Sequence, residues 1–152
     1  THYFLGHIQE TIDDYTEAIV LIPDDAEAFN NRGLAHDVAG DYQKAVEDYK
    51  DAMALRPGFA EAFSNRGAAL EALDDLPGAL GDYQEALAIS PKFAAAHYNA
   101  ARLHAKAGDL DRCLVHLEQA VDLEPSLRTE AARDENLGWV LKLRTLKENR
   151  ER

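Results

Sequence analysis

The chain has one cysteine, Cys113, so no internal disulfide can form. A lone thiol favours a reducing compartment. No apolar run approaches the ~20 residues needed to span a bilayer as a helix. The opening residues carry no signal-peptide pattern, and a cytoplasmic location is the expectation. The chain starts at Thr1 rather than Met, so that expectation leaves an upstream signal or anchor open. Cations are in short supply: 16 Lys and Arg against 28 Asp and Glu, a formal charge of −12 at pH 7. Phosphate-backbone binding needs clustered Lys and Arg, so nucleic acid is not an expected partner. Val, Ile and Thr are sparse, which removes the usual material of strands and points to an all-α class. Nucleophile elbow, phosphate loop and metalloprotease motif are all missing, so neither enzyme activity nor a cofactor is expected.

What is present is periodic. Hydrophobic residues make up 46% of the chain, enough to build a core. Pro23, Pro57, Pro91 and Pro125 stand 34 residues apart. Columns can be numbered from Ala26, Ala60, Ala94 and Arg128, with a partial unit before Ala26. Column 27 reads Ala18, Ala52, Ala86, Ala120, and column 24 reads Tyr15, Tyr49, Tyr83, Leu117. Column 20 reads Thr11, Ala45, Ala79, Cys113, column 8 reads Gly33, Gly67, Ala101, and column 4 reads Phe29, Phe63, His97. Small residues let two helices approach closely, and the aromatics fill the remaining space. Gly40-Asp41 and Gly108-Asp109 read as inter-helix turns, Gly supplying a left-handed residue and Asp a cap. Asp74-Asp75 takes that place in the second unit, with Pro77 in the first turn that follows.

These columns resemble the tetratricopeptide repeat signature from about Gly6 to Pro125. The resemblance implies an α-solenoid of antiparallel helix pairs in a right-handed superhelix, with a C-terminal capping helix. One array is expected over 1–152: a partial repeat at 1–25, complete repeats at 26–59, 60–93 and 94–127, and a capping segment at 128–152. Helices are expected near Ala26–Ala39, Tyr42–Leu55, Ala60–Leu73, Leu76–Ile89, Ala94–Ala107 and Leu110–Leu123. A helix from about Ile8 to Leu21 precedes them, with Thr1–Leu5 as the end of another first helix. Arg128–Arg133 and Leu137–Lys147 follow. Column 7, usually Leu in that family, holds Arg32, Arg66 and Ala100, which suggests looser packing or an altered groove wall.

Candidate chemistry is thin. His2, His36 and His104 share column 11, and His97 lies in column 4. Histidines on one face can hold a metal, but these are core columns of the family, where an aromatic-sized side chain is expected; no metal site is assigned. Cys113 sits in a small-residue column and reads as a buried structural thiol. The carboxylates are spread along helix faces as solvated charge.

The resemblance implies that the first helices line a concave groove through columns 2, 5, 6, 9, 12 and 13. Column 6 is Asn31, Asn65 and Asn99, amides able both to donate to and accept from a peptide backbone. Asn30, Glu27, Asp37, Glu61, Glu71, Tyr98, Arg102, Lys106 and Arg133 complete the candidate groove. The heat-shock chaperone clamp of the family is not matched: its positions hold Asn30, Leu34, Asn65, Ala95 and Asn99, of which only Asn65 fits. The leading expectation is a scaffold that binds another polypeptide segment of basic character. Alternatives are self-assembly through the N-terminal repeat, where Ile8, Ile12 and Ile19 would lack a cover, and service as the targeting module of a larger enzyme.

Overall fold

The computed structural model describes residues 2–152, apart from the side chains at positions 2, 3 and 147. His2, placed in column 11 by its spacing, therefore lies outside the described side chains. The helices are α1 His2–Leu21, α2 Ala26–Ala39, α3 Tyr42–Leu55, α4 Ala60–Ala72, α5 Leu76–Ile89, α6 Ala94–Lys106, α7 Leu110–Leu123, α8 Leu127–Arg133 and α9 Gly138–Arg150. No strand occurs among the described residues. The chain divides into two compact units, Thr1–Ile89 and Ser90–Arg152.

Turns of two or three residues fold each pair back on itself, so α2 packs on α3, α4 on α5 and α6 on α7. Gly40 takes φ 83° and Gly108 φ 79°, as their place in the sequence requires. Asp74 adopts the same left-handed conformation at φ 64°, which a side chain tolerates less well than glycine. The acids that follow act unequally. Asp75 accepts from the Gly78 N–H at 3.1 Å and Asp109 from the Arg112 N–H at 3.2 Å. Asp41, expected to cap α3, makes no such bond and instead lies 3.5 Å from the Lys44 ammonium.

The N-terminal end differs from expectation. There is no break between Leu5 and Ile8; α1 is one helix of 20 residues. Gly6-His7 occupies the turn columns, but Gly6 is not in a left-handed conformation and His7 is not an acid that could cap a new helix. Ile8 and Ile12 do not lack a cover either. They are buried with Ala35 of α2, because α1 packs there as a preceding second helix would.

Alanine decides the spacing of the pairs in the first unit. Ala45, Ala52, Ala79 and Ala86 are wholly inaccessible, as are Tyr49 and Tyr83. The two tyrosines press against glycines: a Cβ at Gly33 would sit 2.6 Å from Tyr49 Cε1, and one at Gly67 2.7 Å from Tyr83 Cε1. The second unit solves the same problem differently, with Ala101 and Leu117 in those columns, both buried. Its core joins Cys113, Leu117 and Ala120 of α7 to Leu127 of α8 and Val140 of α9. Burial of an apolar side chain of this size contributes about 1.5–3 kcal/mol.

Candidate functional site

In the first unit, α2 and α4 carry the candidate groove residues. Asn31 and Asn65 are half-buried at the surface, and Glu27 and Glu61 are exposed. The Asn31 side chain makes no hydrogen bond with another described residue. Asn65 donates from Nδ2 to the Asn30 side-chain oxygen at 3.1 Å. That leaves Asn65 one amide hydrogen and its carbonyl oxygen. Asn30 itself is only 3% exposed, so it serves as a brace for Asn65.

Two other candidate acids are engaged in the helix pairs. Asp37 accepts from the Tyr49 hydroxyl, and Glu71 accepts from the Tyr83 hydroxyl at 3.1 Å. Burial raises the Asp37 pKa, and the bond from Tyr49 opposes that shift. Burial, then the Asp37 carboxylate, raises the Tyr49 phenol. Glu27 lies 3.4 Å from Arg56, an exposed pair that contributes little to stability.

Column 7 proves to be a clamp. Arg32 donates from Nε and Nη2 to both oxygens of Asp48, at 2.9 and 2.6 Å, and Arg66 does the same to Asp82 at 2.7 and 2.7 Å. The carboxylates are buried, at 4% and 5% exposure, so the ion pairs join first helix to second at a column where the sequence suggested looser packing or an altered groove wall. The first unit therefore spends much of its positive charge internally. It holds 18 acidic and 5 basic residues, and two of those five are Arg32 and Arg66. Beside Asn31, a hollow of about 290 Å³ opens between α1 and α2, walled by Ile8, Tyr15, Leu34 and Val38. Leu34 and Val38 stand in groove columns 9 and 13 and are 40% and 58% exposed, an apolar element that the emphasis on amides and charges passed over.

In the second unit, α6 carries Asn99, half-buried, with Tyr98 only 8% exposed. Arg102 is half-buried, while Lys106 and, beyond α6, Arg133 on α8 are exposed. Both links seen in the first unit are replaced here. Ala100 stands for the arginine and His116 for its aspartate; Ala105 and Leu117 replace the acid and tyrosine. Three imidazoles meet in the vacated space. His97 Nδ1 lies 3.1 Å from His116 Nδ1, and the His97 Nε2 is 2.8 Å from the Pro91 carbonyl oxygen. The rings of His104 and His116 stack with centroids 5.5 Å apart. Burial first, then His97 and His104, brings the His116 pKa down to about 4. His116 was not singled out in sequence, although Ala100 and His116 change together in the columns of a conserved-geometry pair. Among the described residues, no group of three His, Cys, Asp or Glu is placed to hold a metal. Cys113 is fully buried and burial pushes its thiol up to about 11, so it is not a nucleophile at neutral pH.

No described helix is long and apolar enough to cross a membrane. No curated protein matches the chain in sequence. Solved structures similar to it include "Crystal structure of MamA", at 21% identity and TM-score 0.78, covering 94% of this chain and 82% of that one. The "MamA RS-1 ArsTM double mutant" matches at 24% identity and TM-score 0.70, covering 95% and 89%. The "Arabidopsis OM64 TPR domain" matches at 22% and 0.66, covering 77% and 91%. At these identities the likeness establishes the fold. Two family models described as tetratricopeptide repeat match residues 26–59 and 70–133, the first over one full period of the proline spacing. With the buried small-residue columns, the left-handed turns and the paired helices, these matches show that the chain belongs to the tetratricopeptide repeat family.

Proposed function

We propose that this protein is a protein-interaction scaffold whose first unit binds a basic polypeptide segment on the face formed by α2 and α4. The observation that carries the reading is the division of labour on that face. Asn30, Asp37 and Glu71 are occupied within the fold, whereas Glu61 is exposed, Glu27 pairs at the surface with Arg56, and Asn31 is half-buried at the surface. Asn31 and the remaining half of Asn65 would bond a peptide backbone whatever its side chains. Glu27 and Glu61 would select Lys or Arg, and the hollow beside Asn31 would take an apolar side chain. Neighbouring first helices lie ~10 Å apart, so two amides would meet an extended chain about three residues apart. Asn99, Arg102, Lys106 and Arg133 would give the second unit a surface of opposite charge for the same purpose, Tyr98 being buried in its core.

The test is selection of binding segments from a displayed library of random 12-residue peptides, followed by affinity measurement on the winners. Enrichment of Lys or Arg, with at least tenfold weaker binding by the Asn31→Ala/Asn65→Ala variant at unchanged melting temperature, supports the reading. Winners without basic residues, or a variant that binds them normally, would overturn it.

A further inference from the structure

Hydrogen-bond bookkeeping at the histidine cluster gives one set of proton positions. The Pro91 carbonyl can only accept, so His97 Nε2 carries a hydrogen. Neutral His97 then has a bare Nδ1. His116 Nδ1, 3.1 Å away, must supply the hydrogen between them. Neutral His116 is left with a bare Nε2. One added proton fits this arrangement. On His116 it goes to Nε2 and leaves the bond untouched; on His97 it goes to Nδ1 while the His116 hydrogen moves to Nε2. A second proton on this pair does not fit. Both Nδ1 atoms would carry hydrogens at 3.1 Å, with two cations side by side and His104 stacked on one of them.

We propose that the α6–α7 hairpin is an acid-operated joint, in which the His97–His116 pair accepts one proton in place and parts when a second arrives. The inference stands independently of the peptide-binding reading. The groups that face the cluster come from the two helices of the hairpin and the turn between them. On α6 they are His97 and His104, and on α7 Arg112 and His116. From the turn, Asp109 favours a charged His104, while burial and Arg112 oppose it more strongly. No carboxylate stands where Asp48 and Asp82 stand in the first unit, so the favourable charge comes from Asp109 in the turn and not from a paired acid within the hairpin. The sign follows from burial. His116 prefers to be neutral in the fold, so its contribution is present above the ordinary histidine pKa of about 6.5. It is lost as pH falls toward about 4.

The experiment is hydrogen exchange of the whole chain, read on α6 and α7 at pH 7.5 and pH 5 with the intrinsic rates divided out. The comparison is His97→Phe/Ala100→Arg/His116→Asp, which installs the residues of the first two repeats. The expected result is about tenfold more opening of α6–α7 in the wild type at pH 5 and no such rise in the variant. A restored aspartate would lose its own contribution only below about pH 4, outside this range. If the triple variant fails to fold, His116→Asn removes the titrating ring and must flatten the same response. Equal opening of the wild type at both pH values, or an equal rise in wild type and variants, overturns the proposal.

Discussion

Arg32 and Asp48 join α2 to α3 through two parallel hydrogen bonds of 2.9 and 2.6 Å, and the arrangement recurs one period later at Arg66 and Asp82. The family's usual Leu at the arginine column would make this a dispersion contact. Here it is a directional one that sets the register of the helix pair.

Removing one partner should cost more than removing both. Asp48→Ala strands a guanidinium whose side chain is only 20% exposed. The loss should be about 2–4 kcal/mol, below the full cost of breaking a buried pair because Arg32 can turn toward water. Arg32→Leu/Asp48→Ala should recover most of it. Urea titration of the two variants and of Arg32→Leu completes the cycle.

The close contact between Gly33 and Tyr49 leaves no room for a methyl group. Gly33→Ala should destabilise by roughly 1–3 kcal/mol through overpacking, although alanine has the better helix propensity. Ala52→Leu should do the same, since Ala52 is wholly inaccessible. Thermal melts of both variants check this, and a neutral result for either would break the packing argument.

Asp74 holds a left-handed backbone that glycine holds at the equivalent Gly40 and Gly108. Asp74→Gly should therefore stabilise the chain by about 0.5 kcal/mol, the relief of strain outweighing the freer unfolded backbone. A melting temperature below that of the wild type would contradict the assignment of strain.

Cys113 should resist modification. Its thiol is buried and held protonated, with a pKa of about 11. A thiol reagent at pH 7.5 should react at least a hundredfold more slowly with the folded chain than with the chain in denaturant.

The helix pairs were legible in the sequence because their cause is local. Gly40, Gly108 and the prolines at one interval mark turns, and the small-residue columns mark close approach. The continuous α1 was not, because Gly6-His7 occupies turn columns yet lacks both the left-handed glycine and the capping acid. The candidate face was legible in outline only. Column positions brought Asn30, Asp37 and Glu71 into the groove set, but each depends on a partner in another helix, and pairing across helices leaves no trace in a single column. Reading columns jointly would have shown more: arginine with aspartate and glycine with tyrosine change together in the third repeat, and His116 is part of that exchange.

Selection of a basic segment by exposed carboxylates on α2 and α4 is proposed and is open to direct measurement. Glu71 is unsuitable for testing it, because a change there would also disturb Tyr83. Glu27→Lys/Glu61→Lys reverses two exposed side chains and leaves the buried links intact. Fluorescence anisotropy of a library-selected basic peptide should be measured with both proteins at 0.01 M and 0.15 M salt, where the Debye length falls from ~30 to ~8 Å. Added salt should weaken wild-type binding, and the reversal should weaken it at least tenfold at low salt. Binding that neither salt nor the reversal changes would contradict the proposal.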